Sequence, residues 1–147
     1  MKRLLLISAA FMLYIPAKAQ ATSDANSKIE VVINNFRNDK GNVTIILFNK
    51  PDGFPDSKKG FKIISSKINN KNASVEFDNL PNGEYGISVF HDENNNKVLD
   101  RNIFGIPKEG VGASNNAKGH FGPPKYQDAK FYLKNETKTI TIHIIYL

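Results

Sequence analysis

The segment Asp92-Glu93-Asn94-Asn95-Asn96-Lys97-Val98-Leu99-Asp100 sets oxygen-bearing side chains at relative positions 1, 3, 5 and 9. In a calcium loop, alternate residues of a tight turn point inward at one hard cation. On that pattern Asp92, Asn94 and Asn96 supply one oxygen each and Val98 supplies its backbone carbonyl. Asp100 binds directly or through water. The pattern is incomplete. Lys97 stands at the sixth position, where such loops favour Gly for a sharp turn, and Ile103 stands at the twelfth in place of a bidentate Glu. A complete EF-hand is excluded. With two formal negative charges, the expected calcium affinity is that of extracellular modules, roughly 10⁻⁴–10⁻³ M. A missing bidentate ligand has three candidates, Glu93, Glu109 and Asp128. The competing reading is a metal-free turn. Asn occurs 18 times in the chain, and Asx side chains build turns by bonding their own backbone.

Other chemistry is weaker. His91 continues the inward parity of Tyr85, Ile87 and Val89, so it is a ligand or acid–base candidate, or a hydrogen-bonded strand end. His91 with His120 and nearby carboxylates would make a zinc site, but no spacing supports one. Asp92, Glu93, Asp100 and Glu109 offer carboxylate pairs for glycoside hydrolysis. Clustered carboxylates are as well explained as cation ligands or solvated charges. Gly112-Ala113-Ser114-Asn115-Asn116 lacks the final Gly of a nucleophile elbow. No phosphate-binding loop or dinucleotide fingerprint is present. No catalytic residue is assigned.

The N-terminus predicts export. Lys2 and Arg3 precede an apolar run over residues 4–15, and Ala17-Lys18-Ala19 offers a small-x-small cleavage site. The run is shorter than the roughly 20 residues of a spanning helix, so residues 1–19 read as a signal peptide and 20–147 as one domain. The mature chain is expected to be periplasmic or secreted, with no transmembrane segment. Removing Lys2, Arg3 and Lys18 lowers the formal net charge from +6 to +3. No Lys/Arg run exceeds two residues, which argues against a nucleic-acid partner. The absence of cysteine excludes disulfides and zinc-thiolate sites.

The elements that must hold these residues are strands. Ile29, Val31 and Ile33 alternate with Glu30, Val32 and Asn34, and Val43, Ile45 and Leu47 with Thr44, Ile46 and Phe48. Tyr85, Ile87 and Val89 alternate with Gly86, Ser88 and Phe90, and Ile140, Ile142, Ile144 and Tyr146 with Thr139, Thr141, His143 and Ile145. Phe61 and Ile63 begin a third run, Val75 and Phe77 a short fourth, and Phe131 and Leu133 a sixth. Turns at Asn38-Asp39-Lys40-Gly41, Pro51-Asp52-Gly53, Asn69-Asn70-Lys71-Asn72 and Leu80-Pro81-Asn82-Gly83 separate them. Seven short strands predict an all-β, two-sheet antiparallel sandwich. Its expected core is Ile29, Val31, Ile33, Ile45, Leu47, Val75, Phe77, Ile87, Val89, Ile140, Ile142 and Ile144. Residues 101–128 show no period but are too apolar for a solvated linker. They predict one long ordered loop, a flap packed on one end or face of the sandwich.

Five blocks carry a resemblance. These are Phe77-Asp78-Asn79-Leu80-Pro81-Asn82-Gly83-Glu84-Tyr85, His91-Asp92-Glu93-Asn94-Asn95-Asn96, Phe104-Gly105-Ile106-Pro107-Lys108-Glu109-Gly110, Ser114-Asn115-Asn116 and Phe121-Gly122-Pro123-Pro124. In this order they resemble the secreted bacterial family called domain of unknown function 2141, over about residues 29–146. The Leu-Pro-x-Gly-x-Tyr turn also resembles prealbumin-like modules. That resemblance implies a seven-strand Greek-key sandwich (prealbumin/Ig-like), and binding or scaffolding rather than catalysis. The expected function is an exported envelope module with a calcium-stabilised loop and a protein or glycan partner. The alternative is a hydrolase using carboxylates and His91 beside the flap. A cleft holding His91 with two facing carboxylates would favour the enzyme.

Overall fold

The computed structural model describes residues 27–147. The expected signal peptide over residues 1–19 and the start of the mature chain lie outside the described residues.

Two sheets pack face to face. The first has the order β4 (Ala73–Leu80), β1 (Ser27–Asn34), β8 (Thr137–His143). The second runs β3 (Lys62–Ser66), β2 (Asn42–Phe48), β5 (Gly83–Asp92), β6 (Val111–Ala113), and β7 (Phe131–Leu133) also pairs with β5. The fourth strand returns beside the first, as a Greek key requires. The all-β sandwich is therefore the expected fold. Two particulars differ: among the described residues eight strands form rather than seven, and β1 and β8 run parallel rather than antiparallel. No helix among the described residues is long and apolar enough to cross a membrane.

Period-two alternation produces the core. Ile29, Val31 and Ile33 meet Ile45, Leu47, Ile87 and Val89 between the sheets, with Ile140, Ile142 and Ile144 closing one side. All of the expected core residues are buried except Val75, which is half-buried and packs against the cluster. β3 takes the opposite phase from its first residues. Phe61 and Ile63 are exposed, while Ile64 packs inward and Ile68 is buried. An edge strand has only one neighbour, so its outer residues can remain in solvent.

The Leu-Pro-x-Gly-x-Tyr block acts as a corner. Tyr85 Oη donates to the Pro81 carbonyl at 2.8 Å, as a tyrosine corner does in Ig-like sandwiches. Burial raises the Tyr85 phenol above its ordinary range.

The flap is ordered and lies on the outer face of the second sheet. Ile46, Phe48 and Phe90 belong to the parity that alternation assigns to solvent. They are buried instead, in a second cluster with Tyr126, Phe54, Leu99 and Val111. β2 and β5 are consequently covered on both faces. Two short strands pin the flap to the free edge of β5: β6 pairs with Ser88–Phe90 and β7 with Gly83–Tyr85. Between them the buried Ser114 Oγ accepts from Ile87 N at 2.9 Å and donates to the Ala129 carbonyl at 2.5 Å. A side chain thus completes the ladder where the flap bulges away. Asn115 Nδ2 donates to the Asp128 and Lys130 carbonyls, and Asn116 Oδ1 accepts from His143 N of β8. The Ser-Asn-Asn block holds the flap in place and has no nucleophilic setting.

Candidate functional site

The 92–100 loop begins where β5 ends. Asp92 is buried, its Oδ1 accepting from Asn96 N at 3.0 Å and its Oδ2 from Lys97 N at 2.9 Å. Asn94 Oδ1 also accepts from Asn96 N, and Asn96 Oδ1 accepts from Val98 N. Asn94 and Asn96 thus form successive Asx turns, each accepting from the amide two residues on, while Asp92 spans them by accepting from amides four and five residues on. The chain reverses sharply enough that Asn95 and Lys97 take φ of 58° and 64°. The sixth position therefore has the left-handed conformation that calcium loops give to Gly, with a lysine in it.

Asp100 closes the loop. Its Oδ2 accepts from Asn94 Nδ2 at 2.7 Å and its Oδ1 from Asn96 Nδ2 at 3.1 Å. The side chain of Val98 is exposed. Four of the five predicted site residues, Asp92, Asn94, Asn96 and Asp100, are thus linked through their side chains. The links are hydrogen bonds, and no group of three His, Asp or Glu among the described residues is arranged to hold a metal ion. Calcium would require the Asn94 and Asn96 carboxamides to turn their oxygens toward Asp100.

Glu109 holds this loop to the flap. It is buried, and its Oε1 accepts from Glu93 N at 2.9 Å while Oε2 accepts from Asp100 N at 3.1 Å. One carboxylate therefore clamps both ends of the loop. Burial raises its pKa above the usual carboxylate range; the two backbone amides oppose that, and the charges of Asp100 and Asp92 add to it. Of the three candidate extra ligands, Glu109 is the one brought to the loop. Asp128 sits exposed in the helical turn α1 (Tyr126–Ala129). Glu93 points to Arg37 Nη2, 2.6 Å away.

His91 is completely buried. Nε2 lies 2.7 Å from the Lys40 carbonyl, so it carries the proton, and Nδ1 lies 2.8 Å from Tyr146 Oη. Tyr146 Oη accepts from Arg37 N and has its own proton to donate to Nδ1. Both ring nitrogens are engaged in tying the 38–41 turn and the C-terminus to β5. The ring is buried rather than set in an open cleft. His143 faces outward, as its place among isoleucines predicts.

A second feature escapes motif reading. The flap encloses an apolar groove of about 700 Å³ on the outer face of the second sheet. Phe90, Leu99 and Val111, which belong to the second buried cluster, form its floor, and Phe104, Ile106 and the stretch from Ala117 to Phe121 complete the lining. Phe104 is 80% exposed and Phe121 fully so. Folding alone gives no reason to expose them. The sequence signal was the pairing of exposed-length apolar residues with glycines in a segment without a period.

No curated protein and no solved structure matches this chain. One family model matches residues 31–141, more than half of the 147 residues. It is described as an uncharacterized protein conserved in bacteria, DUF2141, and the chain belongs to that family.

Proposed function

We propose that this chain is an exported, non-enzymatic β-sandwich module of the cell envelope that binds an apolar partner in the groove under its flap. The 92–100 loop serves as a weak calcium site that steadies the flap. The observation that carries the reading is the groove: a concavity of small-molecule size, within the range of ~300–1,000 Å³, bordered by phenylalanines left in solvent. Large exposed apolar surface marks a binding site more often than an accident of folding. Of the expected partners a glycan fits poorly, because glycans need more polar groups than this groove offers, and the apolar lining suits a protein's apolar face or a small apolar molecule. The buried and fully bonded His91 also favours binding over hydrolysis.

The test is saturable binding of Nile red, a neutral apolar dye, followed by fluorescence. The native protein should give a saturable rise. The double variant Phe104→Ser/Phe121→Ser should weaken it at least about tenfold, a loss of roughly 1.4 kcal/mol, while its melting temperature stays unchanged. Equal binding by both proteins would place the dye elsewhere and reject the groove.

The calcium component has its own expected result. Millimolar calcium should raise the melting temperature, because a ligand held only by the folded state stabilises it. Magnesium should do less, since it sheds water reluctantly and demands a tighter octahedron. Asp92→Ala should abolish the shift. Lys97→Gly should enlarge it. It should also stabilise the metal-free protein by about 0.5–1 kcal/mol, because Lys97 has a left-handed φ that Gly adopts freely. No calcium shift in either the parent or Lys97→Gly would leave the loop as an Asx turn alone.

A further inference from the structure

We infer that the groove takes a single-chain amphiphile with an anionic head, such as a long-chain carboxylate. The inference rests on the groove being the binding site and names its ligand class. Among the described residues, the charged side chains lining the groove are basic, Arg101 and Lys118, with His120 also in the lining; the α-carboxylate of Leu147, which lines it too, forms an ion pair with neither. Among the described residues, Arg101 and Lys118 have no acidic partner within ion-pair distance. Arg101 spends one N–H on the Gly105 carbonyl at 2.9 Å, which leaves the rest of its five donors for a ligand. Cations at the edge of an apolar concavity are poorly screened and bind a carboxylate more strongly than they would in bulk water.

The floor suits an alkyl chain. Phe90, Leu99 and Val111 present no polar side-chain atom, and Ile145 and Leu147 continue the apolar lining. An extended peptide fits less well, because strand addition needs an open sheet edge. Here the edge strand β6 is already engaged: Val111 N donates to the Ile145 carbonyl and Ile145 N donates to the Val111 carbonyl, both at 2.9 Å. A chain lying in the groove would cover the inner faces of Phe104 and Phe121 and set its head against Arg101 and Lys118.

The experiment is displacement of cis-parinaric acid, a polyene fatty acid whose emission rises on leaving water. The competitors share a sixteen-carbon chain: palmitate, 1-hexadecanol and hexadecyltrimethylammonium. Palmitate should displace the probe at least about tenfold more effectively than the alcohol, and the ammonium should be weakest. Lys118→Gln and Arg101→Gln should each weaken palmitate without changing the alcohol, and together they should bring the two competitors level. Equal displacement by palmitate and alcohol in the native protein would overturn the anionic head site. Saturable Nile red binding with no parinarate binding would overturn this ligand class while leaving the groove as a binding site. Loss of both would reject the binding reading as well. Sedimentation with phosphatidylglycerol vesicles, without any response to monomeric palmitate, would identify the face as a membrane-docking surface and overturn the inference.

Discussion

Ile87→Ala should destabilise the fold by about 2–5 kcal/mol, the range for truncating a buried branched side chain when its surroundings cannot collapse into the space. Ile87 lies in the middle of β5, fully buried, paired with Leu47 on one side and bonded through its amide to Ser114 on the other. Leu47 is held by the ladders of β2, and Ser114 by its bond to the Ala129 carbonyl, so little relaxation is available. The paired control is Ile63→Ala. Ile63 belongs to β3 but is half exposed, and its truncation should cost well under ~1 kcal/mol. Urea denaturation of the two variants measures the difference. Similar midpoints would mean that the inward register of β5 or the outward register of β3 is wrong.

Gly41→Ala should be nearly as damaging, and its effect should reach the candidate site. Gly41 has φ of +69°, and a Cβ there would lie 1.9 Å from the Asp92 carbonyl oxygen and 2.8 Å from Glu93 Cα. Both obstacles are backbone, so no side chain can swing away. The left-handed conformation costs a non-glycine residue about 1–2 kcal/mol, and forcing the chains apart adds about 1–3 kcal/mol. The separation would open where β5 becomes the 92–100 loop, displacing Asp92 from the amides of Asn96 and Lys97. The expected result is a lowered melting temperature together with a reduced calcium response. A variant as stable as the parent would show that the 38–41 turn does not press on the loop.

Much of the sandwich was legible because strands covered on one face leave a period of two. β1 and β8 show it, with Ile29, Val31, Ile33, Ile140 and Ile142 inside and Val32, Thr139, Thr141 and His143 outside. The same rule failed at Ile46, Phe48 and Phe90. Alternation assumes a solvent face, and the flap together with the segment from Phe54 to Gly60 removes it from β2 and β5. β6 was not legible: three residues with a central glycine carry no period, and its pairing depends on the edge of β5 some twenty residues earlier. The parallel pairing of β1 with β8 is a long-range choice that no local pattern encodes.

At the site, the spacing of Asp92, Asn94, Asn96 and Asp100 foretold a tight, side-chain-linked turn, and their oxygens do organise one. Lys97 marked the strained position because only Gly adopts that conformation without cost. The clamp formed by Glu109 was visible only as one of three candidate carboxylates. Choosing it required knowing that the flap folds back over the loop. The groove left a compositional trace alone, since its lining comes from four separate stretches of chain.

The most direct measurement is amide chemical-shift mapping by NMR as Nile red is titrated into the isotope-labelled protein. The largest shifts should fall on Leu99, Phe104, Ile106, Val111, Ala117 and Phe121, with the outer face of β4, β1 and β8 unchanged. Shifts centred on that opposite sheet, or scattered without saturation, would contradict a binding site under the flap.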